Sequence, residues 1–113
     1  IHNPFNLPCS LIFMFYIKII TSRRVVVGMC DAELIGKKFY EENLQLDVKE
    51  SFYKSEKIYS EKEAIEILQN MKKEDATFNL VGEKTIKIAI KAEIITENEV
   101  GTIQEIPYAL VLL

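Results

Sequence analysis

The sequence predicts a small α+β domain. A mixed or antiparallel sheet of about four to five strands, opened by an N-terminal hairpin, packs against two main helices. Three observations carry this. Two β-rich runs, Met14–Ile20 (MFYIKII) and Arg24–Cys30 (RVVVGMC), flank the turn Thr21-Ser22-Arg23. Two later stretches, after Ser60 and after Phe78, repeat apolar residues at helical spacing. The chain then closes on two more extended runs, Val100–Ile106 and Tyr108–Leu113. With 113 residues, 49% hydrophobic and 27% charged, it has the size and composition of one domain with a modest core.

Taken in order, residues 1–13 (IHNPFNLPCSLIF) form an irregular N-terminal extension, because Pro4 and Pro8 break regular structure before Met14 opens the first strand. The expected domain is 14–113. Leu7–Ile20 spans only 14 residues, contains Lys18 and has no basic region before it, so strand is preferred to a membrane segment. In the first strand Phe15, Ile17 and Ile19 share one face and Met14, Tyr16, Lys18 and Ile20 the other; in the second, Val25, Val27 and Met29 oppose Val26, Gly28 and Cys30. Both faces of both strands are largely apolar, which predicts central strands. Asp31–Gly36 reads as one short helical turn capped by Asp31 and ended by Gly36. Leu44, Leu46 and Val48 alternate with polar residues as a one-sided strand. Ser51–Tyr59 reads as a loop pinned by Phe52, Tyr53 and Tyr59.

Ser60-Glu61-Lys62-Glu63 has the pattern of a capping box, with Ala64, Ile67, Leu68 and Met71 on one stripe of the helix that follows. In Phe78–Ile95 (FNLVGEKTIKIAIKAEII), Ile86, Ala89, Ile90 and Glu93 follow helical spacing, and Ile88 and Ala92 widen the apolar arc. Asn79, Gly82 and Lys84 form the turn and helix-start motif, with Asn79 as N-cap or Asx-turn residue and Gly82 allowing a tight bend. Gly82-Glu83-Lys84-Thr85 resembles a phosphate loop but fails as one. Glu83 interrupts the Gly-Lys-Thr run and position 77 is Thr where a glycine is needed. Asn98-Glu99 reads as a turn, and Pro107 as the break between the last two extended runs.

Charge is unevenly spread. Residues 1–38 carry five Lys/Arg and two acids, giving 5 − 2 = +3, and residues 39–113 carry nine lysines and fifteen acids, giving 9 − 15 = −6. This predicts a basic side opposed to an acidic one. The candidate RNA contacts are Lys18, Arg23, Arg24, Lys37 and Lys38 for phosphates, with Phe39 and Tyr40 for base stacking. A core Phe39 flanked by solvated lysines is the competing structural reading of that run. His2 is the only histidine and Cys9 and Cys30 the only cysteines, so neither a nucleophile–histidine pair nor a metal-ligand spacing is present. An enzyme is therefore not expected, nor a cofactor, a metal or a small-molecule substrate. Cys30 reads as a buried, reduced thiol.

Three segments together carry a family resemblance: Val25–Phe39 (VVVGMCDAELIGKKF), Asn79-Leu80-Val81-Gly82-Glu83 and Ile106-Pro107-Tyr108-Ala109. From Met14 onward the chain resembles the short archaeal proteins of domain-of-unknown-function family 424. That resemblance implies a start near Met14 and a cytoplasmic archaeal protein with a loose link to translation. It also implies a histidine after the late proline in many members, where this chain has Tyr108. Joined to the charge layout, it gives the expectation of a ribosome- or RNA-associated structural or modulatory protein, with ribosomal RNA or ribosomal proteins as partners and no membrane contact. The alternative is a protein-interaction module that docks through its N-terminal tail and C-terminal strand.

Overall fold

The computed structural model describes residues 14–112. The predicted extension 1–13, with His2 and Cys9, lies outside the described residues, as does the tail proposed as a docking element. Strand β1 (Phe15–Thr21) and β2 (Val25–Asp31) form the expected hairpin, in register from Phe15↔Asp31 to Thr21↔Val25. β2 also runs parallel to β5 (Thr77–Val81), β5 antiparallel to β7 (Ile106–Val111), and β7 antiparallel to the short β6 (Gly101–Ile103). The order is β1-β2-β5-β7-β6. A parallel pair needs a long crossover. Here it contains a separate two-stranded sheet, β3 (Lys38–Glu41) with β4 (Leu44–Asp47), then the helical turn α1 (Glu50–Tyr53) and helix α2 (Glu61–Lys73). Helix α3 (Glu83–Lys91) follows β5 directly.

Side chains alternate across each strand, so each sheet face has its own core. On one face Phe15, Ile17, Val27, Met29, Phe78 and Leu80 pack with Ala64 and Leu68 of α2 and Ile86 and Ala89 of α3. On the other, Cys30 and Val81 meet Leu34, Val48 and Tyr53, with Phe39, Leu46 and Tyr108 at the margin. Two cores explain why the hairpin strands are apolar on both faces. Only β2 is central, however. β1 is an edge strand, and its outer rim is held by residues 55–59. Phe15 N–H donates to Tyr59 O (3.0 Å), Tyr59 N–H to Phe15 O (2.8 Å) and Ile17 N–H to Ser55 Oγ (3.2 Å). The segment read as a loop begins with α1, which lies so close to β2 that a Cβ on Gly28 would sit 2.5 Å from the Phe52 carbonyl oxygen.

Helix α2 has the predicted capping box: Glu63 N–H donates to Ser60 Oγ (3.3 Å) and Ser60 N–H to Glu63 Oε1 (3.0 Å). Both long helices end in the same motif with an acid in the left-handed position usually given to glycine. After α2, Asp75 (φ 55°) lets Ala76 N–H reach Met71 O (3.1 Å). After α3, Glu93 (φ 62°) lets Ile94 N–H reach Ala89 O (2.9 Å). Helix α3 therefore stops four residues short of Ile95, where the apolar pattern alone would have carried it.

The break between the last strands is at Gln104-Glu105, not at Pro107. Pro107 lies inside β7, opposite Thr102. β5 ends at Val81, opposite Tyr108, so no ladder donor is needed at position 107, and the Pro107 carbonyl accepts from Gly82 N–H (2.9 Å). The two-residue turn puts Gln104 at φ 50° and Glu105 at φ 66°, left-handed values that favour Asn-Gly. Glu41 Oε1 accepts Gln104 N–H (2.8 Å) and helps hold the turn. Replacing Gln104-Glu105 by Asn-Gly should raise stability by about 1 kcal/mol. The check is the urea unfolding midpoint, and an unchanged or lower midpoint would remove the turn assignment.

Candidate functional site

The hairpin geometry distributes the cations nominated from the sequence. Arg23 and Arg24 occupy the exposed β1–β2 turn, where they border a surface recess of about 520 Å³ shared with Glu74 and Asp75. Lys37 and Lys38 follow the opposite end of β2, a seven-residue strand. At about 3.3 Å per residue that places the two pairs roughly 20 Å apart. Lys18 lies between them on β1, and its Nζ is engaged with Ser51 O (2.8 Å). An antiparallel hairpin sends its turn and its exit to opposite ends, so the two cation pairs are separate points and not one contiguous cluster.

One of the two groups does combine charge with an aromatic. Phe39 turns inward against the second core, whereas Tyr40 is 55% exposed. Alternation along β3 puts Lys38 and Tyr40 on the outer side of the β3–β4 hairpin, with Lys37 exposed just before it. Among the described residues neither lysine makes an ion pair, although Asp47 lies opposite Lys38 in the strand register. Phe39 is thus an anchor, while Lys37, Lys38 and Tyr40 form a compact exposed group.

The helix-start motif is built differently from its expectation. Asn79 is neither an N-cap nor an Asx-turn residue. It lies inside β5, paired with Gly28 and Leu110. The N-cap position is Gly82, at φ 115°, ψ 151°, a region that only glycine enters readily. The acceptor for the first turn of α3 comes from Asp31, at the end of the neighbouring parallel strand. Asp31 Oδ1 accepts from Thr85 N–H (2.7 Å) and Thr85 Oγ1–H (2.8 Å), and Oδ2 accepts from Lys84 N–H (3.1 Å). Asp31 does not cap its own short turn, Ala32–Leu34, with its side chain. Lys84 reaches Glu33 Oε2 at 3.0 Å.

This junction is closed. Asp31 and Thr85 are buried, at 4% and 0% exposure, and a Cβ on Gly82 would lie 2.4 Å from Asp31 Cγ. The donors that a phosphate loop would offer to its ligand are taken by the chain's own carboxylate, so the failed phosphate-loop reading has a structural reason. Burial pushes the neighbouring Cys30 thiol up to about 12, with the Asp31 and Glu33 carboxylates adding to the effect, so it is an inert core thiol. Among the described residues no group of three or more His, Cys, Asp or Glu side chains could hold a metal ion. Nor does any buried side-chain polar atom among them lack a partner. No helix among the described residues is long and apolar enough to cross a membrane.

Fold and junction together define a small mixed-sheet α+β domain whose parallel strand pair is locked to a following helix by a buried carboxylate. The chain belongs to the family described as "Protein of unknown function (DUF424)", which matches residues 20–113. The chain is also similar in structure to an uncharacterized conserved protein from Methanopyrus kandleri, known from a crystal structure. The two are 22% identical, the match covers 87% of this chain and 90% of that one, and the TM-score is 0.76. At that identity the likeness is one of fold. A search of curated proteins returns no match.

Proposed function

We propose that the chain is a non-enzymatic, cytoplasmic protein associated with the ribosome or its RNA, with a structural or modulatory role in translation. The observation that supports this reading is the exposed group Lys37, Lys38 and Tyr40 on the β3–β4 hairpin, anchored from beneath by Phe39. Two ammonium groups and one phenol ring offer what an unpaired nucleotide uses: phosphate neutralisation and a stacking face. Arg23 and Arg24 are a second, separate cationic point that an extended or folded RNA could bridge. Because the domain is acidic overall, such binding is local and salt-sensitive.

Sedimentation of the purified chain with archaeal ribosomal subunits over a range of salt tests the reading. Binding is expected at low salt, with a log–log salt slope that falls by about two when Lys37 and Lys38 are both changed to Glu. Tyr40→Ala should weaken binding by about tenfold without changing that slope. Absence of co-sedimentation at low salt, or indifference to the lysine reversals, would overturn it.

A further inference from the structure

The β3–β4 hairpin carries more than cations and a ring. Its register sets Lys38 opposite Asp47, Phe39 opposite Leu46, Tyr40 opposite Gln45 and Glu41 opposite Leu44. Successive pairs alternate between the two sides of the hairpin. Phe39 and Leu46 pack inward on the second core. Glu41 shares their side, and its Oε1 accepts Gln104 N–H (2.8 Å). The outer side therefore holds Lys38 with Asp47, and Tyr40 with Gln45. Tyr40 and Gln45 are both exposed, and side chains directly opposite on paired strands have Cβ atoms about 5 Å apart. No hydrogen bond to another described residue occupies the Gln45 amide. The support beneath is fixed, by the core at Phe39 and Leu46 and by Gln104 at the tip. An aromatic face and an open amide thus stand side by side on a rigid base.

These two groups divide the recognition of a nucleobase between them. A ring stacks on any base, since every base has a π-face, so it supplies affinity without selectivity. A glutamine amide holds a donor and an acceptor in one plane and matches a base edge that carries the complementary pair. Adenine offers that pair twice, because its N6 amino group lies between the acceptors N1 and N7. Cytosine offers it once, through N4 and N3. Face and edges are accessible only in an unpaired base, because A-form duplexes keep bases stacked and their major groove is too narrow for side chains to read. Asp47 offsets part of the Lys38 charge, so phosphate contact alone is weak here and a base contact adds more.

We propose that the outer side of the β3–β4 hairpin takes a single unpaired adenine nucleotide of RNA. The base stacks on Tyr40, the Gln45 amide meets the edge that carries N6, and Lys37 and Lys38 meet the flanking phosphates. Gln45 is then the residue that selects the base. The proposal rests on the RNA reading of the same hairpin and names the nucleotide it takes.

Fluorescence anisotropy of the full chain at low salt tests this, with three fluorescein-labelled five-nucleotide RNAs. One is all adenosine, one all cytidine, and one all purine riboside, which keeps the stacking ring but lacks N6. The adenosine strand should bind at least about fivefold more tightly than either of the others. Gln45→Ala should bring the adenosine and purine-riboside strands to equal affinity. Tyr40→Ala should weaken both and leave their ratio unchanged. Both side chains are exposed, so neither variant threatens the fold. Equal binding of the adenosine and purine-riboside strands by the parent overturns the proposal, as does a preference that survives in Gln45→Ala. Either result leaves the RNA reading standing. Failure of all three strands to bind overturns the proposal and the RNA reading together.

Discussion

Gly82→Ala should lower stability by roughly 4 kcal/mol or leave the chain unable to fold. Two independent causes act at this one position. The backbone at φ 115°, ψ 151° lies where an L-residue is strained by about 1–3 kcal/mol. A methyl group there would also lie 2.4 Å from Asp31 Cγ and 2.6–2.7 Å from its oxygens. Either the carboxylate withdraws, releasing the amides of Lys84 and Thr85, or β5 and α3 separate. Neither movement is easy, because Leu80, Val81, Ile86 and Ala89 on either side of the junction are buried. Chemical denaturation with far-UV circular dichroism measures the effect. A variant as stable as the parent would show that the β5–α3 junction is not built this way.

How far the sequence reveals this fold depends on the range of each interaction. Helix α2 was legible because its capping box is contained within Ser60–Glu63 and its stripe repeats locally. The hairpin is legible because Thr21-Ser22-Arg23 separates two unmistakable β-rich runs. The start of α3 was placed too early, at Asn79, because local reasoning seeks a cap beside the helix. The real acceptor, Asp31, is 54 residues from Thr85 in sequence and reaches it only through the parallel pairing of β2 with β5. The usable signal was indirect: a helix start with glycine at the cap needs an acceptor from elsewhere. Pro107 misled for a similar reason, since whether proline breaks a strand depends on what its missing N–H would have faced. Gln104-Glu105 carries no turn composition at all. Proximity in sequence does not by itself place the cations in space. Arg24 and Lys37 are 13 positions apart, yet a straight strand, β2, stands between them and carries them to opposite ends of the sheet. Tyr40 and Phe39 did follow the alternation available to a reader, one outward and one inward.

Asp31→Ala should cost about 3 kcal/mol, because it removes three hydrogen bonds to a buried carboxylate and orphans donors that water reaches poorly. Asp31→Asn should cost less, since the amide keeps an acceptor oxygen for Thr85 while turning its NH₂ toward the Lys84 amide. The pH dependence separates the two effects. Burial is the larger influence on Asp31 and raises its pKa above the ordinary 3.8, with the hydrogen bonds from Thr85 and Lys84 drawing it back. A raised folded-state pKa means that the native chain holds this proton more tightly than the unfolded chain. The Asp31 contribution to stability is therefore full below the unfolded pKa and declines as pH rises through the folded one. The Asn variant lacks this titration, so its stability deficit should be largest at low pH and shrink as the parent ionises. A deficit that grows with pH would mean that the hydrogen bonds outweigh burial and hold the carboxylate below its ordinary value. Coupling with Gly82 completes the argument. In an Asp31→Ala background the Cγ that a Gly82 methyl would strike is gone, so Gly82→Ala should cost about 1–2 kcal/mol less than in the parent. Strict additivity of the two substitutions would mean that backbone strain alone, and not the buried carboxylate, is what excludes a side chain at position 82.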